Sequence, residues 1–112
     1  MSYLLQFARR RALVPRVDEY TRLNRPGLYG DAFVRVYVED TSRRRGDARP
    51  QLVLQIADCV NTINLEFSLH SPQYVENSLF KVDTLIAALE LFRDGLAAEA
   101  QLARQRTRPN DR

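Results

Sequence analysis

The chain has no tryptophan, one cysteine, one methionine, one histidine and four glycines among its 112 residues. A lone Cys59 excludes an internal disulfide and fits a reducing compartment. Cys59 and His70 supply two soft metal ligands, with no second pair at ligand spacing, so no metal site is expected. His70 reads instead as a surface or capping residue. Four scattered glycines make no phosphate-cradling loop. Lys81 is the only lysine, and the residue two before it is Leu79 rather than an acid. That removes the pattern of nucleases that pair two acids with a nearby lysine. Ser68 and Ser71 flank His70, but no strained elbow presents either as a nucleophile. No catalytic residue and no cofactor is therefore assigned. An enzyme survives only as a small fold whose site is hidden from sequence spacing.

Long apolar runs are missing too. Nothing approaches the roughly 20 residues that span a bilayer, and Arg9, Arg10 and Arg11 follow the first apolar stretch too soon for a signal peptide. A cytoplasmic protein without a membrane partner is expected. At 112 residues, 45% of them hydrophobic, the chain reads as one soluble domain with a modest core.

The clearest local pattern is Ile63-Asn64-Leu65-Glu66-Phe67-Ser68-Leu69-His70, apolar at every odd position. This is the period of a strand with one buried face, and it predicts a strand over 62–70. Ser71-Pro72 stops it and offers a helix cap, with Asn77 as an alternative cap. From there Val82, Leu85, Leu89, Phe92 and Leu96 recur at spacings of three and four, and Leu79 and Ile86 widen the stripe. Together they predict a long amphipathic helix ending near Arg104 with one broad face buried. Such a helix outruns any strand of seven or eight residues, so its last turns overhang the sheet.

Upstream, Ser2 as a cap and the run to Leu13 favour a short helix, with a strand as the alternative. Val17, Tyr20 and Leu23 at spacing three after Pro15 suggest a second. Arg25-Pro26-Gly27 marks a turn. Strands follow at 32–40, with Val34, Val36 and Val38 opposite Phe33, Arg35, Tyr37 and Glu39, and at 51–58. A bend at Cys59 to Thr62, with Asn61 able to take positive φ, leads into the third strand. The expected fold is α+β: a three-stranded antiparallel meander covered on one face by a long C-terminal helix, with one or two short N-terminal helices. Its segments are a helical 1–30, a sheet 31–70, a helix 71–104 and a polar tail 105–112 that by composition should be disordered.

Sixteen of the 17 basic residues are arginines, a bias that coding composition explains as well as function does. Residues 1–49 hold eleven arginines against six acids, 50–98 two bases against six acids, and the last fourteen four arginines against two acids. The basic ends include a loop with Arg43, Arg44, Arg45 and Arg49. That loop, with Arg9, Arg10 and Arg11 and a sheet face bearing Arg35 and Tyr37, could track a phosphate backbone while the ring stacks a base. Against this, Glu39, Asp40 and Asp47 share the region, and a net charge of +3 is small for a nucleic-acid binder. Arg45-Gly46-Asp47 matches a cell-attachment tripeptide, a match three residues make by chance.

The reading that remains is a non-enzymatic interaction or assembly protein, homo-oligomeric or bound to a larger protein, of a kind found in bacteriophages and mobile elements. Leu96, Ala100, Leu102 and Ala103 at the overhanging helix end form its expected interface. A nucleic-acid-binding accessory protein is the alternative, and no small-molecule substrate is indicated.

Overall fold

The computed structural model describes residues 14–28, 30–42 and 49–107. The chain divides into two compact units, Met1–Tyr74 and Val75–Arg112. The first holds a four-stranded antiparallel sheet of β1 (Pro15–Arg22), β2 (Phe33–Glu39), β3 (Leu52–Asp58) and β4 (Asn61–Leu65), in that spatial order. The second is dominated by one helix, α1 (Pro72–Arg106), 35 residues and therefore about 52 Å long.

The α+β class, the antiparallel sheet and the long C-terminal helix match the sequence reading, whereas the strand count does not. Val17–Leu23 was expected as a helix, yet Pro15–Arg22 is an edge strand running antiparallel to β2. Spacing three at Val17, Tyr20 and Leu23 is outweighed by cross-strand partners. Tyr20 stacks on Phe33 with ring centroids 4.8 Å apart, and Asp18 meets Arg35 at 3.5 Å. Among the described residues there is no N-terminal helix. The short helix expected over Ser2 to Leu13 lies outside them.

The β1–β2 connection follows its turn chemistry. Leu28 N donates to Arg25 O across Arg25-Pro26-Gly27-Leu28, with Gly27 at φ +93°. Proline at the second position and a positive-φ glycine at the third make a type II turn. At the far end of the pair a bulge falls between Pro15 and Val17. There Arg16 donates to Asp40 Oδ1 at 3.0 Å, an oxygen that also accepts from Ser42 N and Oγ.

The β3–β4 turn corrects a second expectation. Asn61 is not the positive-φ residue; it opens β4 opposite Asp58, and Cys59 takes φ +58° in the two-residue tip Cys59-Val60. One positive φ at the first tip position is the type II′ arrangement, whose twist matches that of the flanking strands. The strand expected over 62–70 ends at Leu65. The alternation of apolar residues persists to Leu69, but Ser68 Oγ accepts from His70 N at 3.2 Å and turns the chain toward α1.

Register sorts the side chains into two faces. Val34, Val36 and Val38 align with Ile56, Leu54 and Leu52, and through them with Ile63 and Leu65. The opposite face is mixed, bearing Phe33, Arg35, Tyr37 and Glu39 beside Ala57, Gln55 and Val53. The deepest burial is on this mixed face: Ala57 is 3% exposed, Tyr37 7% and Glu39 5%. The aliphatic face is half-buried over β2 and β3, and Ile63 and Val17 are exposed. Both edge strands carry polar and charged residues, Arg16, Asp18, Glu19 and Arg22 on β1 and Asn61, Thr62 and Asn64 on β4, which discourages edge-to-edge pairing.

The two candidate helix caps resolve in favour of Ser71. Its Oγ accepts from Tyr74 N at 3.3 Å, with Pro72 as the first helical residue. The other end stops at Arg106, two residues beyond expectation. Thr107 closes it by donating from Oγ1 to the carbonyls of Ala103 and Arg104. Arg104 and Arg106 sit in the last turn, where positive charge complements the helix dipole. The broad buried face expected of this helix is a third correction. Only Ser78 is buried, and Leu79, Ile86, Leu89, Phe92 and Leu96 are all exposed.

Candidate interaction surfaces

Among the described residues, helix α1 displays most of the exposed large apolar side chains. At about 100° per residue, Val75, Leu79, Val82, Leu85, Ile86, Leu89, Phe92, Leu96, Ala100 and Ala103 fall on one broad stripe. Exposure changes along it. Val75, Val82 and Leu85 are half-buried and Ser78 is buried, whereas Leu89, Phe92 and Leu96 stand open. Leu96, Ala100 and Ala103 thus continue the stripe as a seam at positions i, i+4 and i+7, with Ala100 half-buried.

Leu102 does not join them, because it lies roughly 160° around the helix from Ala100. It belongs to a second apolar face, with Phe80 and Leu91, which the sequence reading missed. Phe80 is 69% exposed, Leu91 74% and Leu102 43%. The signal was available as an eleven-residue spacing, hidden because one stripe already accounted for a helix. Between the faces runs an acidic ridge of Glu76, Asp83, Glu90 and Asp94. A helix apolar on two sides is normally covered on both.

On the sheet, Arg35 and Tyr37 lie two apart on one face of β2. The structure gives neither the free presentation expected of a phosphate clamp and a stacking platform. Tyr37 is buried, and its phenol is pushed above the usual tyrosine range by that burial, then by Glu39 and Asp18. Arg35 is engaged through Nη2 with Asp18 Oδ1, while its buried Nε has no acceptor among the described residues. The open aromatic ring on this face is Tyr20, which lay in the segment expected to be helical. Arg22 reaches the carbonyl of Gly30 at 3.3 Å. Arg49 is exposed just before β3; Arg9, Arg10, Arg11, Arg43, Arg44 and Arg45 lie outside the described residues.

His70 is exposed just before α1, its ring 6.4 Å from that of Tyr74. Cys59 is exposed at the hairpin tip. Among the described residues no three of His, Cys, Asp and Glu are grouped to hold a metal ion, and no helix is long and apolar enough to cross a membrane. No family model, no curated protein and no solved structure matches the chain.

Proposed function

We propose that this is a non-enzymatic interaction protein, homo-oligomeric or held on a larger protein, whose long helix is the contact. The supporting observation is the display of Leu89, Phe92 and Leu96 as one open apolar seam on a helix of 35 residues. Leaving such side chains in water forfeits about 1.5–3 kcal/mol each relative to burial, and contiguous apolar surface of this kind marks association sites. Gly95 precedes Leu96 in the helix and lowers its propensity by about 1 kcal/mol relative to Ala, so the turns beyond it gain from being covered. Light scattering at micromolar concentration tests the reading, together with a Leu96→Asp, Ala100→Asp double substitution. Association that the substitutions abolish supports it. A mass of 13.0 kDa with solubility and stability unmoved by them would end it.

The second reading, a nucleic-acid-binding accessory protein, draws on the mixed sheet face. There the open ring of Tyr20 shares its face with the exposed Arg22, and Arg49 stands exposed just before β3. Ring stacking and arginine contacts to phosphate are the chemistry of single-strand binding. Fluorescence anisotropy at low salt with single- and double-stranded oligonucleotides decides it. Binding lost in Tyr20→Ala and weakening steeply with salt is the expected outcome; no binding to either form removes the reading.

A further inference from the structure

We infer that the second apolar face of α1 is an antiparallel homodimer contact centred on Leu91. The inference rests on the assembly reading and names the partner for this face: a second copy of the same helix. The face reads Phe80, Thr84, Ala87, Leu91, Gly95, Ala98, Leu102, and its pattern of large and small side chains is the same in both directions from Leu91. Ala87 and Gly95 stand four residues either side of it, Thr84 and Ala98 seven, Phe80 and Leu102 eleven. A two-fold axis through Leu91 therefore sets Phe80 of one copy on Leu102 of the other, Ala87 on Gly95 and Thr84 on Ala98. That is the self-complementarity an isologous interface requires.

The geometry suits two straight helices. A repeat of eleven residues corresponds to about 3.67 per turn, close to the helix's own 3.6, so the face stays aligned without strong supercoiling. The contact from Phe80 to Leu102 runs for about 33 Å. Small residues between the large ones allow axes to approach toward the short end of the roughly 8–10 Å range. A Cβ built on Gly95 meets nothing within 4 Å in its own chain, so space remains on this face for an incoming side chain. Phe80 and Leu91 are among the most exposed large apolar residues of the described chain.

Charge agrees with the direction. Lys81 and Glu99 lie on the same flank of this face, ten and eight residues from Leu91, so antiparallel pairing brings the lysine of each copy level with the glutamate of the other. The opposed helix dipoles also favour the antiparallel choice.

Disulfide trapping tests the arrangement in the full chain carrying Cys59→Ser, with circular dichroism confirming helicity. Leu91→Cys is expected to link to itself on mild oxidation, because only a residue on the two-fold axis meets its own copy. Phe80→Cys and Leu102→Cys are expected to link to each other when mixed and not to themselves. Leu91→Asp, at a position open to water, is expected to return the dimer to 13.0 kDa without loss of helicity. Self-linking of Phe80→Cys and Leu102→Cys would overturn the antiparallel register. An assembly dissolved by Leu96→Asp with Ala100→Asp, but indifferent to Leu91→Asp, would overturn the inference and leave the assembly reading standing. A monomer at every concentration overturns the inference alone, unless the Leu96 and Ala100 substitutions also leave solubility and stability unmoved, in which case both fall.

Discussion

Glu39 and Gln51 close the base of the β2–β3 connection by a crossed pair of hydrogen bonds. Glu39 N donates to Gln51 O at 2.9 Å, and Gln51 N donates to Glu39 Oε1 at 2.9 Å. The side chain thus takes the place of the backbone carbonyl that would ordinarily receive the second bond of such a pair. Glu39 is 5% exposed, so removing its carboxylate leaves the Gln51 N–H without its acceptor in a partly buried position. Glu39→Ala is expected to cost about 1–3 kcal/mol. Glu39→Gln, which keeps an acceptor oxygen, should recover most of the loss. Urea denaturation of the two variants measures the difference; equal stability would show that this oxygen contributes nothing.

The turn at Cys59 makes a different expectation. A non-glycine residue at φ +58° pays a strain of about 1–2 kcal/mol that glycine does not. Cys59→Gly frees the unfolded chain and loses about 0.4–1 kcal/mol of that gain. The balance is a stabilisation of up to about 1.6 kcal/mol, and Cys59→Val should be destabilising. Thermal midpoints of the two variants are expected to move in opposite directions.

Tyr37 gives the sheet a pH dependence. Burial first, then Glu39 and Asp18, raise its phenol above 10.0 in the folded chain. The unfolded chain releases this proton first as pH rises. Its contribution is therefore intact below about pH 10 and is lost as pH climbs through the raised folded value. Tyr37→Phe keeps the ring and removes the ionisation. Thermal melts between pH 8 and 11 should show a shallower alkaline decline in the variant, and an identical decline would remove Tyr37 from the account.

Central strands, type II turn and helix were legible because each is written in local chemistry. Val34, Val36 and Val38 alternate, Pro26-Gly27 fixes the turn, and Ser71-Pro72 marks a helix start. β1 was not legible, because Val17, Tyr20 and Leu23 fit a helical spacing and only Phe33 and Arg35, across the sheet, reveal the strand. The open state of the helix was unreadable for a related reason. A stripe of apolar residues says that a face can be covered and does not say whether its own chain supplies the cover. The mixed face misled similarly: Tyr37 alternates like an outward residue yet is buried, a consequence of neighbours that no period records.

Gly95 isolates helix propensity from packing. Its added Cβ would meet nothing within 4 Å, and its φ is not in the left-handed region. Gly95→Ala should therefore raise helix stability by about 0.5–1 kcal/mol in the monomeric chain. Circular dichroism during heating measures this directly. A destabilised variant under dilute conditions would mean that the position is crowded within one chain.

Leu89 separates a core role from an interface role. A leucine central to its own chain's core loses about 2–5 kcal/mol on truncation to Ala. Here the side chain is 57% exposed, and a surface substitution of that kind usually falls within about 0.5 kcal/mol. If the seam is covered by association, the cost must grow with protein concentration, since anything that binds only the folded state stabilises it by mass action. Thermal midpoints of wild type and Leu89→Ala are accordingly expected to coincide at high dilution and diverge as concentration rises. Midpoints that stay far apart at every dilution would put Leu89 in the core of a single chain, and midpoints that coincide at every concentration would leave the seam unused.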